Sequence, residues 1–366
     1  MKPMTPKERM MTALDLGIPD RVPASVHQWQ PFHLNTYLGG ISDLEAFRRF
    51  GLDAALPRSP MLPMESPEWV TERREVPAPE GERRFLTTVT TPGGTLETLE
   101  GENPITRWTI EYLVKKPEDV ELLDKYMPVP KLDKEALARD YDELGDDGIM
   151  RGFVWGYQGG CWQDATCLMG TEQMIMAAAD DPDWVHYFLE VLWRKKERFI
   201  HESLAGAKYD LIETGGGAAS STVISPRYFR EFCIPYDRKM HDLLHSYGHK
   251  VVYHTCGGMM PILELIVENG CDASETLTPP SMGGDARPVE LKQRIGDKVA
   301  LIGGLDQNTV LEVGTQEDVH RHIHELFDAY GPGGGYIMSP SDHFFHVPPE
   351  NLQAYADAAR ECIYDG

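Results

Sequence analysis

The run Val251-Val-Tyr-His-Thr-Cys-Gly-Gly258 sets an imidazole and a thiol two residues apart at the end of an apolar stretch. Side chains alternate along a strand, so His254 and Cys256 share a face. Imidazole nitrogen and thiolate sulfur are natural zinc donors, at about 2.0–2.1 and 2.3 Å. The two glycines that follow leave room for a ligand near the backbone. The same pair would also serve as a buried thiol beside a hydrogen-bonding histidine. A catalytic zinc takes three protein ligands and keeps one position open. A third ligand must come from another loop, and the segment 333–346 offers Asp342 and His343. An Asp-capped turn accounts for that segment equally well.

Glu213 and Glu275 end apolar runs on either side of this one. Beside a metal, such a carboxylate is a displaceable ligand or a proton acceptor, and without one it is an arginine's partner. His27, Arg58, Trp155 and Tyr157 also follow apolar runs and are candidate substrate contacts. Trp155 and Tyr157 form with Trp162 an aromatic cluster that suits a flat molecule, or for at least two of the three ordinary core or rim packing, and Arg58 suits a carboxylate. Gly215-Gly-Gly217 and Gly333-Gly-Gly335 fit neither a dinucleotide nor a P-loop fingerprint.

The positioning elements alternate along the chain. Strands are expected at Arg21–Val26, Leu52–Leu56, Ile149–Val154, Tyr209–Ile212, Lys250–Tyr253, Cys271–Ser274, Val299–Ile302 and Gly335–Met338. Helical patterns lie between them, opened by Asp181-Pro182, Ser225-Pro226, Thr315 and Pro349. Thr5-Pro-Lys-Glu8 caps an N-terminal helix that stops near Gly17. Phe85–Thr98 alternates around a Pro-Gly-Gly turn and reads as a β-hairpin within an insertion spanning about 57–147. Eight strands with helical crossovers make an α/β protein, most simply one (β/α)8 TIM barrel over residues 1–366. Barrel chemistry sits past the C-terminal ends of the strands, where each candidate above is expected.

The net charge of −23 repels a phosphate backbone and argues against nucleic acid. No run approaches the ~20 apolar residues of a membrane helix, and no apolar signal core follows the first residues. Six scattered cysteines without a CxxC pair suit a reducing, cytoplasmic setting.

Further segments resemble a known family. Ile224-Ser-Pro-Arg-Tyr-Phe-Arg-Glu-Phe-Cys-Ile-Pro-Tyr236, Gly248–Gly257, Ile302-Gly-Gly-Leu-Asp306, Pro348-Pro-Glu-Asn351 and Thr5-Pro-Lys-Glu-Arg9 through Arg21-Val-Pro23 are similar to the uroporphyrinogen decarboxylase superfamily. The resemblance implies a (β/α)8 barrel and two possible chemistries. True decarboxylases carry Arg-Gln-Ala-Gly-Arg after the first strand, where this chain reads Ala24-Ser-Val-His-Gln-Trp-Gln-Pro-Phe32, without arginine. The other branch holds zinc-dependent corrinoid methyltransferases of the methylcobamide:coenzyme M type. Their zinc ligands are a His-x-Cys, matched by His254 and Cys256, and a later cysteine, here replaced within Pro340-Ser-Asp-His343. Asp342 takes that place by alignment, with His343 its rival. Oxygen or imidazole in place of sulfur makes a harder, more Lewis-acidic zinc. The branch thus implies a methyltransferase acting on a small methylated or methoxylated molecule, as in O-demethylation. Its methylcobalamin or other corrinoid would arrive on a partner protein. Glu213 or Glu275 would assist. A metal-free decarboxylase-like lyase and a non-catalytic subunit of a methyltransferase complex are the alternatives.

Overall fold

The computed structural model describes residues 3–64 and 66–364. Its strands, in chain order, are β1 (Ala54–Pro57), β2 (Val70–Val76), β3 (Arg83–Thr91), β4 (Gly94–Glu102), β5 (Arg107–Glu111), β6 (Gly148–Phe153), β7 (Leu211–Gly215), β8 (Lys250–His254), β9 (Ala273–Thr276), β10 (Ala300–Leu305) and β11 (Tyr336–Pro340). Seven of them form one parallel sheet in the order β1-β6-β7-β8-β9-β10-β11. These strands are buried along nearly their whole length, which is why they read as apolar runs without alternation. Helices fill the crossovers, so the fold is α/β.

The sheet curls until its two outer strands meet one segment. Ser25 N donates to Met338 O and Met338 N to Pro23 O, both at 2.9 Å, and Asp53 N donates to Ala24 O at 2.8 Å. This is a TIM-like arrangement, but the expected strand Arg21–Val26 shrinks to a single bridge, Ala24 with Met338. Pro23 has no N–H to give. The N–H of Ala24 goes instead to the Asp53 carboxylate, 2.9 Å away.

One end of the sheet interior is stoppered by the helix Pro6–Leu14. Thr5 and Glu8 form its capping box, with proline in the first turn. Its Met10, Ala13 and Leu14 pack against Ala55, Ile149, Leu211, Val252, Ala273, Ala300, Ile302 and Ile337, one or two residues from each sheet strand. Arg9 fastens this helix to Asp53, which also takes Arg21 at 2.9 Å. A larger apolar cluster lies between sheet and outer helices and includes Val89 and Leu96 of the insertion.

The insertion is a four-stranded antiparallel sheet, β2-β3-β4-β5, rather than a hairpin alone. The Phe85–Thr98 pattern falls on β3 and β4, joined at Pro92-Gly93. The outer strand Val70-Thr-Glu-Arg-Arg-Glu-Val76 is exposed over six of its seven residues, so no apolar alternation betrays it. It is held by its ladder to β3 and by Arg73, which stacks 3.7 Å over the Phe85 ring.

Candidate active site

Several strands run further than their apolar stretches suggest. Glu213 and Glu275 were expected past strand ends, yet each is the third residue inside its strand, and His254 is the last residue of β8. Their side chains therefore point into the sheet interior instead of lying in loops. Pairing sets His254 directly opposite Glu275, while Glu213 lies opposite Phe153, two residues beyond the Arg151–Leu211 pair. With side chains alternating, Arg151, Glu213, His254 and Glu275 meet just above the apolar layer of Leu211, Val252 and Ala273.

Arg151 ties this layer together. Its Nη2 donates to Glu213 Oε2 at 2.8 Å and to Glu275 Oε1 and Oε2 at 2.8 and 3.0 Å. His254 Nδ1 lies 3.1 Å from Glu275 Oε1 and 3.6 Å from Glu213 Oε1. All four side chains are buried. Two dry carboxylates are tolerable only when paired, and Arg151 supplies the pairing. Burial alone would push Glu275 up, but Arg151 first, then His27 and His254, hold it well below the carboxylate range. Burial likewise works against charge on His254, yet its contact with Cys256, the hydrogen bond to Glu275 and the two carboxylate charges raise it well above an ordinary histidine.

His27 links this layer to the last loop. Its ring centroid is 5.3 Å from that of His254 and 5.1 Å from that of His343, and its Nδ1 is 3.8 Å from Glu275 Oε2. His343 Nε2 lies 3.1 Å from Gln28 Oε1, and its backbone N–H donates to Asp342 Oδ1 at 2.7 Å. Burial, then the neighbouring His27, brings the His343 ring down to about 4, which leaves it neutral. Two donor groups result, His27-Glu213-His254-Glu275 and His27-Asp342-His343, each with its atoms within 4.8 Å of one another. Cys256, two residues on from His254, is in neither group. Gly217 makes space for its thiol: a Cβ there would stand 2.4 Å from Sγ.

This donor chemistry fits a divalent transition metal. Histidine ligands are commonly oriented by a carboxylate on the far ring nitrogen. Glu275 occupies Nδ1 of His254 in that way, leaving Nε2 for coordination, where a cation would compete with the ring proton.

The other candidates lie elsewhere. Arg58 turns outward, where Asp43 takes its Nη1 at 2.7 Å and Asp140 lies 3.7 Å from Nε. Trp155 and Tyr157 line a cavity of about 300 Å³ with Trp69, Met127 and the buried Asp164–Lys196 pair, sharing no residue with the histidine–glutamate cluster. Sequence reasoning passed over Arg151. An arginine inside an otherwise apolar strand was the available signal, since it demands buried acidic partners.

Residues 86–362 match the family model described as uroporphyrinogen decarboxylase (URO-D). The chain belongs to the uroporphyrinogen decarboxylase family. A uroporphyrinogen decarboxylase of Shewanella denitrificans is 28% identical over 219 residues, and one of Hydrogenovibrio crunogenus is 29% identical over 220. Each match covers 56% of this chain and 58% of the relative, so the likeness spans little more than half of either protein. Among solved structures, a methyltransferase from Methanosarcina mazei superposes with a TM-score of 0.65 at 16% identity, covering 98% of this chain and 99% of its own. That likeness extends the shared fold over nearly the whole URO-D family chain. No helix among the described residues is long and apolar enough to cross a membrane.

Proposed function

We propose that this family member is a zinc-dependent methyltransferase. It would move a methyl group between a small methylated or methoxylated molecule and a corrinoid carried by a partner protein, with residues 1–366 working as one (β/α)8 domain. His254 and Cys256 would hold the zinc, with Asp342 or His343 as third ligand. The observation that carries this reading is the His254 ring, held at Nδ1 by Glu275 3.1 Å away in the manner of a carboxylate-oriented metal ligand. When bound, zinc supplies a Lewis acid that lowers the pKa of a thiol, alcohol or water.

The chain's own residues do the rest. Arg151 holds both glutamates in place. Glu275 fixes the His254 tautomer. Glu213 keeps Oε1 outside its bond to Arg151, so that oxygen can accept a substrate proton. His27 stands between His254 and His343, where a substrate would meet it. Six unpaired cysteines suit a reducing, cytoplasmic setting.

The names of the relatives favour a second reading, metal-free decarboxylation. That chemistry needs free cations for substrate carboxylates, and both Arg151 and Arg58 are committed to acidic partners. The deciding experiment combines metal analysis with methyl transfer to and from a cobalamin acceptor, in wild type and in Cys256→Ser and His254→Gln variants. Loss of zinc together with methyl transfer supports the proposal. A decarboxylation activity that survives the double substitution overturns it.

A further inference from the structure

Far along the chain, the helices Gln316–Tyr330 and Pro349–Glu361 pack against each other. His320 and His324 are four residues apart on the first, so they stand one above the other on one face. Their Nε2 atoms converge on a single oxygen of the second helix: Glu361 Oε2 lies 2.8 Å from His320 and 3.3 Å from His324. The ring centroids are 4.6 Å apart. Among the described residues, the ion-pair partners of Glu361 are these two imidazoles, and no lysine or arginine competes for it. Glu361 is also the last residue of its helix, where the aligned peptide dipoles favour positive charge.

We propose that His320, His324 and Glu361 form a second, peripheral metal site for a borderline divalent transition metal such as Zn²⁺, Ni²⁺ or Cu²⁺. Two histidines at this spacing on one helix are a recurrent zinc-binding arrangement, and imidazole suits all three ions. A tetrahedral ion at about 2.0–2.1 Å from each donor sets donors about 3.3 Å apart. His324 and Glu361 already have that separation, and His320 needs to withdraw by about half an ångström. Water completes the shell of an exposed site. Behind the histidines, the buried Cys362 Sγ lies 3.9 Å from His324 Nδ1, which turns Nε2 outward toward the ion. The ion would clamp the two helices at the point where Cys362 O accepts the N–H of Val22, beside the segment that closes the sheet.

The test uses full-length, metal-stripped protein titrated by calorimetry with zinc or nickel chloride alone. Wild type is expected to bind one equivalent more than a His320→Gln/His324→Gln variant, and to gain melting temperature with nickel where the variant does not. Glu361→Gln, which keeps both imidazoles, is expected to weaken that equivalent about tenfold or more. Cys256→Ser/His254→Gln keeps the peripheral equivalent, which separates this site from the proposed centre inside the sheet. Equal stoichiometry and affinity in wild type, His320→Gln/His324→Gln and Glu361→Gln overturn the proposal.

Discussion

Asp237→Asn is expected to change how stability depends on pH. Asp237 sits on the helix Ile234–Ser246, fully buried, accepting a hydrogen bond from Tyr253 Oη at 2.9 Å. Burial raises its pKa from 3.8 to about 7, against the opposing pull of that hydrogen bond and of Lys196. A raised folded pKa means the folded state holds the proton more tightly than the unfolded chain. The associated stability is present in full below 3.8 and is lost as pH rises through about 7. A shift of about 3 units at about 1.4 kcal/mol per unit makes that loss about 4 kcal/mol. Asparagine keeps the acceptor for Tyr253 and has no proton to release. Equilibrium urea unfolding should show the variant gaining on wild type by about 4 kcal/mol between about pH 4 and pH 8, with the steepest gain below about pH 7. A stability difference that stays constant across that range refutes the reasoning.

His241 provides the opposite limb. It is buried between Thr214 Oγ1 and Asn269 O, each 2.8 Å away, and burial lowers its pKa from 6.5 to about 4. Its stabilisation is complete above 6.5 and falls by about 3 kcal/mol as the medium acidifies through about 4, so His241→Asn should flatten the acid side of the urea-midpoint profile. Asp53→Asn leaves Arg9 and Arg21 short of a fully buried partner and should cost about 3–5 kcal/mol in unfolding free energy, an expectation that a loss below about 1 kcal/mol contradicts. Arg151→Met strands two buried glutamates and should cost a similar 3–5 kcal/mol or so, whereas the Arg151→Met/Glu213→Gln/Glu275→Gln triple variant should recover most of it. Additive losses across that series would show that the three side chains do not act as one unit.

The sequence made the main strands legible because a parallel sheet covered on both faces needs unbroken apolar runs. His254 was legible at its strand end because Gly257-Gly258 follow three residues on. What escaped was set by contacts distant in sequence. Arg151 was passed over because its acidic partners come from β7 and β9, far away in sequence. Glu213 and Glu275 looked like loop residues because a buried ion pair lets a polar residue continue a strand. Arg58 looked like a free cation, and Asp43, fifteen residues earlier, takes it outward. The first strand was misjudged through Pro23, and β2 through a charged surface carrying no pattern.

The closing bridge between Ala24 and Met338 also has a consequence for biosynthesis. The segment that seals the sheet is made early, and the strand it must bond is made late. His33 waits in the same way for Val347, 314 residues on. During translation the sheet therefore grows with its first edge unpaired, and the native seal forms only after β11 has left the ribosome. Contacts of such long sequence separation fold slowly. Until they form, an open edge of parallel strands is available to any neighbouring chain, which is the hazard an unpaired edge carries during folding.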